Sequence, residues 1–476
     1  MTLREGPDTA GATTAGKGSA RLERRLGAWD GALLTVGSVV GTGIFLTTGD
    51  MAKALPHAGL ILLVWLLGGL LTLAGALTYA ELGVLFPRAG GIYHFLKEAF
   101  GPFVGFLYGW TAFVVIMSGG IAAIAVGFGE YFGAFVPAFA PARVLVEIPL
   151  GPYALRIAGP QAAGAIAILL LTLLNHAGLR EGAAVQNVLT VAKGGALLVL
   201  VLLGLGGMGG VWHAATAPVD FPPRVLLAGL GSAMVASLWT YDGWYALTLS
   251  AGEVRNPARD LPRGLVGGTA AVVGLYLLVN LTYLRALPID RLGRTTRVAE
   301  AAAEALLGPA GARLVTATIA VSMLGCLAAT ILYASRLYVP MAEDGVFFEA
   351  AGRVSPVRHT PTGALWMQGV WSAFLAATGG YRSLYTWATF AVVLFNVAGG
   401  IALFVLRRTR PDADRPYRAW GYPAVPALFV LACLALTAAT LFQSPVESGL
   451  GLIVVASGVP AWLWWRRRKG VLPRGA

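Results

Sequence analysis

Charge is scarce in this chain. Of 476 residues only 12% are Asp, Glu, Lys or Arg, about half the fraction of an average soluble domain. A water-soluble protein this poor in charge and 57% hydrophobic could not cover its own surface, which leaves a protein dissolved in lipid. Cysteine is nearly absent: Cys326 and Cys433 both fall within apolar stretches. That excludes a disulfide framework or thiolate metal site and leaves them as small core residues. Histidine is also rare. His57, His94, His213 and His359 fall at stretch ends or in loops, and His176 closes a stretch. No histidine cluster or carboxylate pair lies at depth, so no enzyme, metal or cofactor is expected. A cleavable signal peptide is missing too. Residues 1–29 are polar, basic and rich in Gly, Ala and Thr, and read as a disordered cytosolic arm.

What is present is a series of uncharged stretches about 17–25 residues long, the length that crosses a bilayer's hydrocarbon core. Twelve are expected, near 31–54, 59–83, 100–133, 160–176, 184–206, 224–250, 264–285, 312–341, 363–379, 384–406, 423–441 and 446–465. Each must be helical, because a backbone in lipid satisfies its polar groups internally. The fold class is therefore an all-α integral membrane protein without a separate soluble domain. The net charge of +12 has a simple source. With an even number of spans both termini share a side, and about 24 Lys and Arg fall there against about 10 opposite. That bias puts both termini in the cytoplasm, including the basic tail 466–476, and makes nucleic acid an unneeded partner. Residues 286–311 strain the rule with Arg291, Arg294 and Arg297 outside; their Ala-rich 298–307 part predicts a short surface helix.

Glycine is abundant, with 63 residues, and in membrane helices most glycines let neighbours approach closely. Two places differ. Gly37-Ser38-Val39-Val40-Gly41-Thr42-Gly43-Ile44-Phe45 puts three glycines in the middle of span one, where Gly weakens a helix. Trp239-Thr240-Tyr241-Asp242-Gly243-Trp244 puts a glycine and a carboxylate inside span six. Interrupted helices at corresponding places in two halves point to the binding site of an inverted-repeat transporter.

A broken helix exposes amide N–H groups at the start of its second half and carbonyls at the end of its first. The former suit a carboxylate and the latter a cation or ammonium. Such a site matches a zwitterion, with the α-amino acid backbone as the obvious candidate. Gly41, Thr42 and Gly43 are the expected donors. Carbonyls near Val39, Val40 and Ile44, and across the site near Trp239 and Thr240, are the expected acceptors. Trp239 is also placed to act as a lid. Asp242 has two readings, a functional intramembrane carboxylate or a cap on exposed N–H groups. Lys193, near the middle of span five, needs partners at that depth. It either fills a cation site with its own ammonium, carries a proton, or snorkels to an interface.

Taken together these motifs resemble the amino acid–polyamine–organocation (APC) superfamily, and within it the L-type, bacterial exchanger-like branch, from Trp29 to about Trp465. The resemblance is carried by the glycine-rich break, by Tyr79-Ala80-Glu81-Leu82-Gly83 and by Phe86-Pro87-Arg88-Ala89-Gly90-Gly91-Ile92-Tyr93. It is carried further by Val185-Gln186-Asn187 leading to Lys193, by the run from Glu253 to Arg263, and by Arg415-Pro416-Tyr417-Arg418 with Gly421-Tyr422-Pro423. It implies a LeuT-like fold, with spans 1–5 and 6–10 as inverted repeats over 30–406 and two peripheral helices over 407–465. It implies Trp239 as an aromatic gate, and Lys193 where sodium sits in other members, with Ser322 nearby. It implies Asn396 facing a substrate side chain, and Glu253 and Arg259 in ion pairs of a cytoplasmic gate.

Eukaryotic L-type members bind a glycoprotein through a cysteine in the loop between spans three and four. Residues 134–159 have no cysteine, so no covalent heavy subunit is expected. The expected function is sodium-independent transport of small neutral L-amino acids across the inner membrane, as exchanger or proton-coupled symporter. The alternatives are a polyamine or amine carrier, which Asp242 would favour, and a non-transporting membrane protein.

Overall fold

The computed structural model describes residue 24 and residues 26–150, 153–177, 182–204, 218–355, 360–443 and 445–469. Residues 1–23 and 25 of the expected N-terminal arm, the end of the basic tail, His213 and His359 lie outside these, as do the side chains of Val185, Gln186 and Asn187. The end of the arm is ordered rather than disordered: Leu26 exchanges backbone hydrogen bonds with Glu253 and Arg255, and a helix begins at Ala28.

The helices are α1 (Ala28–Val39), α2 (Gly43–Ala54), α3 (Ala58–Leu85), α4 (Ile92–Phe100) and α5 (Pro102–Phe132), the last with a π-helical segment at Ala112–Ile116. Then come α6 (Gly159–Ala177), α7 (Gly182–Gly204), α8 (Pro223–Tyr241), α9 (Ala246–Leu249), α10 (Pro257–Ala286) and α11 (Ile289–Gly293). The chain continues through α12 (Val298–Ser335), α13 (Tyr338–Glu343), α14 (Thr362–Thr378), α15 (Tyr381–Thr409), α16 (Ala424–Gln443) and α17 (Pro445–Lys469). Among the described residues eight helices are long and apolar enough to cross a membrane, and nine if the bent pair α1–α2 is one span. The protein is therefore a multi-pass membrane protein.

Two expectations need amendment. The chain is not wholly helical: β1 (Val144–Leu150) pairs antiparallel with β2 (Tyr153–Ala158) between α5 and α6. Alternating Val, Leu, Ile and Tyr in that loop favours strands. The Ala-rich stretch is indeed helical up to a kink at Gly308, whose φ of +72° ends it. Its face is buried rather than superficial, with Val298, Ala299, Ala302 and Ala303 in the core.

Packing sorts the helices into two groups. α1 and α2 pack with α3, α8 and α10, whereas α5 packs with α6, α12 and α14. α7 reaches both groups, touching α1, α10 and α12, and so does α15. The two interrupted helices thus pack in one group, α5, α6 and α14 face it, and α12 touches both.

At one end of α3 a carboxylate ties three elements together. Glu81, 1% exposed, receives Arg407 in a two-pronged contact at 2.9 and 2.6 Å and the Ala419 amide at 2.7 Å, with Arg415 at 3.4 Å. Arg407 also lies over the Tyr422 ring at 3.6 Å. Removing one partner of such a buried pair leaves the others uncompensated, which costs about 3–5 kcal/mol. Glu81→Gln is therefore expected to lower the thermal unfolding midpoint in detergent by several degrees; an unchanged midpoint would contradict this role.

Candidate functional site

The first break is short. α1 ends at Val39, the Gly41 amide turns back onto the Val39 carbonyl at 2.7 Å, and α2 begins at Gly43 at an angle of 43° to α1. Because the Gly41 N–H is used in that turn, the open amides shift to the following residues, where a helix start leaves its first N–H groups without internal partners. The second break follows α8. Asp242 is extended, Gly243 takes φ +94°, and α9 starts at Ala246. A side chain at Gly243 would be strained by that φ and would stand 2.8 Å from the Ser38 carbonyl oxygen.

The breaks lie against each other. A Cβ at Gly43 would fall 2.5 Å from Thr240 Oγ1, so only glycine permits this approach. Thr47 and Thr240 share a hydroxyl contact of 2.7 Å. Tyr276 on α10 donates to the Val39 carbonyl at 2.9 Å and lies 3.3 Å from the Thr240 carbonyl, joining both breaks with one hydroxyl. A cavity opens between them, lined by Val39, Gly41, Thr42, Gly43, Trp239 and Thr240, and closed by Ile116, Met117 and Gly120 of α5. Val40 and Ile44 are buried but lie outside this lining.

Lys193 is 2% exposed, and its ammonium donates to the carbonyls of Gly37 and Val40, each at 2.6 Å. These carbonyls lie in the last turn of α1, where the helix leaves acceptors unpaired. Snorkelling is thereby excluded for this arrangement, since the charged end points inward. Ser322 lines the small apolar cavity beside Lys193, with Phe45, Leu197 and Ile319.

Trp239 covers the cavity from one side. Its indole donates to the Tyr381 hydroxyl at 3.1 Å, and its ring stacks on Tyr385 at 5.9 Å. Tyr381 in turn lies 3.5 Å from Thr42 Oγ1, and Tyr385 donates to Asp50 at 2.9 Å. Neither tyrosine was expected from sequence. Their i, i+4 spacing at the start of α15 was the available signal, but aromatics near a span end read first as interfacial anchors.

Asp242 sits between two cavities. It lines the one just described and a second one with Thr72, Thr389 and Asn396. Asn396 therefore belongs to the neighbouring space, its amide oxygen accepting from Tyr79 at 3.1 Å.

Glu253 and Arg259 are not brought together. Glu253 pairs with Arg336 at the end of α12 at 3.2 Å, while Arg259, more than half exposed, pairs with its neighbour Asp260 at 2.7 Å. A second contact closes the same region: Tyr93 and Lys97 of α4 both reach Asp344, the lysine at 2.6 Å. Burial, then the bond to Asp344, push the Tyr93 phenol above its ordinary pKa, so it remains a donor. Burial also lowers the pKa of the adjacent His94.

Comparison with known proteins now has a geometry to meet. The family model described as Amino acid permease matches residues 26–461. The chain belongs to this family. It is 30% identical to the serine/threonine exchanger SteT of Bacillus subtilis, over 94% of this chain and 98% of that one. It is also 30% identical to the human b(0,+)-type amino acid transporter 1, over 89% of this chain and 84% of the relative. The human cystine/glutamate transporter is 28% identical over 94% and 86% of the two chains. The protein is thus an amino acid transporter of the APC superfamily and not an enzyme.

Two outcomes follow from the geometry. Lys193→Ala deletes two charge-assisted bonds, each worth about 1.5–3 kcal/mol, and is expected to cut amino acid uptake at least tenfold, far more than Lys97→Ala. Uptake by Lys193→Ala at the unsubstituted rate would make Lys193 mere packing. Asp344→Asn weakens its hold on both Tyr93 and Lys97, and should speed thiol labelling of Cys326, whose sulfur lies 3.5 Å from a Cβ position at Gly41. Peptide-resolved labelling measures this; an unaltered rate would show that Asp344 does not close the path.

Proposed function

We propose that this chain is a sodium-independent secondary transporter of small neutral L-amino acids, working by alternating access across the cytoplasmic membrane with both termini inside. The observation that carries the reading is the Lys193 ammonium at 2.6 Å from the carbonyls of Gly37 and Val40. Carbonyls of a broken membrane helix are cation ligands, and here a cation belonging to the chain already takes them. A sodium ion at that place would meet a like charge. The driving force is then the counter-movement of a second amino acid or a proton.

The zwitterion would bind between the breaks, its carboxylate on the amides that open α2 from Thr42 onward and its ammonium toward the end of α1 and α8. Val39 and Val40 carbonyls are already engaged by Tyr276 and Lys193, which leaves the Asp242 carboxyl as an acceptor in the cavity wall. The choice of small neutral side chains rests on the wall of Gly120, Met117 and Ile116 and on the substrates named for the Bacillus subtilis relative. One observation favours a second reading. Asp242 also faces the adjoining cavity with Asn396, so a substrate carrying a second amine would find a carboxylate there.

The architecture in this reading has twelve spans, the nine candidates together with α7, α8 and α14. The first ten form inverted repeats, with α16 and α17 at the periphery. Both cysteines are buried, which supports a transporter without a covalent heavy subunit.

The test is uptake of labelled amino acids into proteoliposomes, with and without internal amino acid, Na⁺ and a pH gradient. Uptake of alanine, serine or threonine that is indifferent to Na⁺ is expected. Strict dependence on Na⁺ would overturn the role given to Lys193. Asp242→Asn separates the two substrate readings: it should impair neutral amino acids if Asp242 holds the α-ammonium, and only dibasic ones if it reads the side chain.

A further inference from the structure

Hydroxyl groups within these helices usually bond to their own backbone. Thr35, Thr47, Thr72, Thr111, Thr269 and Thr330 all donate to the carbonyl four residues before them. Ser118, Thr172 and Ser372 do not. Each is 0% exposed, and among the described residues none of the three hydroxyls has a hydrogen-bond partner. Gln368 is likewise 0% exposed with both its amide nitrogen and its oxygen unpartnered.

These four residues come from α5, α6 and α14, and helix register brings them to one depth. α6 runs antiparallel to α5, with Pro160 against Gly129 and Gly164 against Ala125. Continuing that register sets Thr172 opposite Met117, one residue from Ser118. α6 also runs antiparallel to α14, fixed by Gln161 to the Gly379 carbonyl at 3.2 Å and by the His176 and Trp366 rings at 6.1 Å. Between these points Thr172 meets Gly369, where a Cβ would fall 2.4 Å from its hydroxyl. Gln368 and Ser372 flank that glycine within one turn. Trp371 closes the third side, donating to the Val114 carbonyl in the π-helical segment of α5 at 2.8 Å.

Unpaired polar groups do not persist in a lipid-embedded core. Hydroxyls and an amide supply both donors and acceptors, the set that suits water; a buried water typically makes about three hydrogen bonds. We propose that Ser118, Thr172, Gln368 and Ser372 enclose a buried hydration site where α5, α6 and α14 meet. The neighbours of Ser118 explain why it matters. Ile116, Met117 and Gly120 line the cavity between the breaks, so the hydrated layer lies behind the wall that faces the solute. The inference holds whichever solute is carried.

The experiment is a structure of the full chain in lipid nanodiscs, at a resolution that shows ordered water, with thermal unfolding of Gln368→Met in Na⁺, K⁺ and choline buffers. Expected are density within hydrogen-bond distance of Gln368 and Ser372 and a lower midpoint for Gln368→Met, the same in all three buffers. In a dry site the substitution would remove two unpaired polar atoms and raise the midpoint. A raised or unchanged midpoint, or the absence of density, overturns the proposal. A midpoint that depends on Na⁺ or K⁺ overturns it in favour of a cation. Should Gln368→Met not fold, Ser372→Ala carries the same test of sign.

Discussion

The Lys193 ammonium is the interaction on which the other features of this protein depend. A helix interrupted inside a membrane leaves carbonyls that neither water nor lipid can satisfy. Lys193 answers two of them, at Gly37 and Val40, and Tyr276 together with the Gly41 amide answers the one at Val39. With its acceptors met from behind, the chain can bend by 43° and present the start of α2 to the cavity. The ammonium is itself stable there only because those carbonyls are free. Break and lysine each supply what the other lacks, so neither would persist alone.

The same logic explains the glycines at the contact between the breaks. Once α1 stops, α2 and α8 can approach until Gly43 touches Thr240, and Gly243 can turn its backbone against Ser38. The approach brings Thr47 onto Thr240 and leaves Trp239 over the opening. Sequence disorder in the helical pattern thus becomes order in the tertiary contact. A substitution at Gly43 would act by pushing two helices apart, and one at Gly243 would in addition strain its own backbone.

Much of this was legible in the sequence because lipid enforces a strict grammar. Apolar length gave the helices, and a lysine in mid-span required partners. Glycines beside hydroxyls at Gly41 to Gly43, matched by Asp242-Gly243, marked the breaks. What was not legible depended on which residues meet. Gly41 read as a donor, but its amide closes a turn of its own. Glu253 and Arg259 are six residues apart and of opposite sign, yet each found a different partner, because helical geometry carried Arg336 to Glu253 and left Arg259 beside Asp260. Tyr381 and Tyr385 meet Trp239 only through the fold. The hairpin at Val144 to Ala158 likewise depends on which residues pair.

The contacts beside the cavity and those at the α4 end of the protein use different chemistry, and the difference has a physical reason. On the Trp239 side the closing groups are rings, with Tyr381 and Tyr385 bonded to the indole and to Asp50 through single hydroxyls. Rings can swing from one apolar contact to another without leaving a charge unpaired. At the α4 end of the protein the contacts are ion pairs, Glu253 with Arg336 and Lys97 with Asp344, each member partly exposed. Such pairs are weak when water can reach them, since water replaces the lost partner as they separate. Burying the same pairs would fix the end shut, because breaking a buried pair leaves uncompensated charge. Glu81 with Arg407 shows that case within the same molecule: its carboxylate is 1% exposed and serves as a fixed joint. Degree of burial, more than the identity of the charges, therefore separates the fixed joint at Glu81 from the ion pairs that water can loosen.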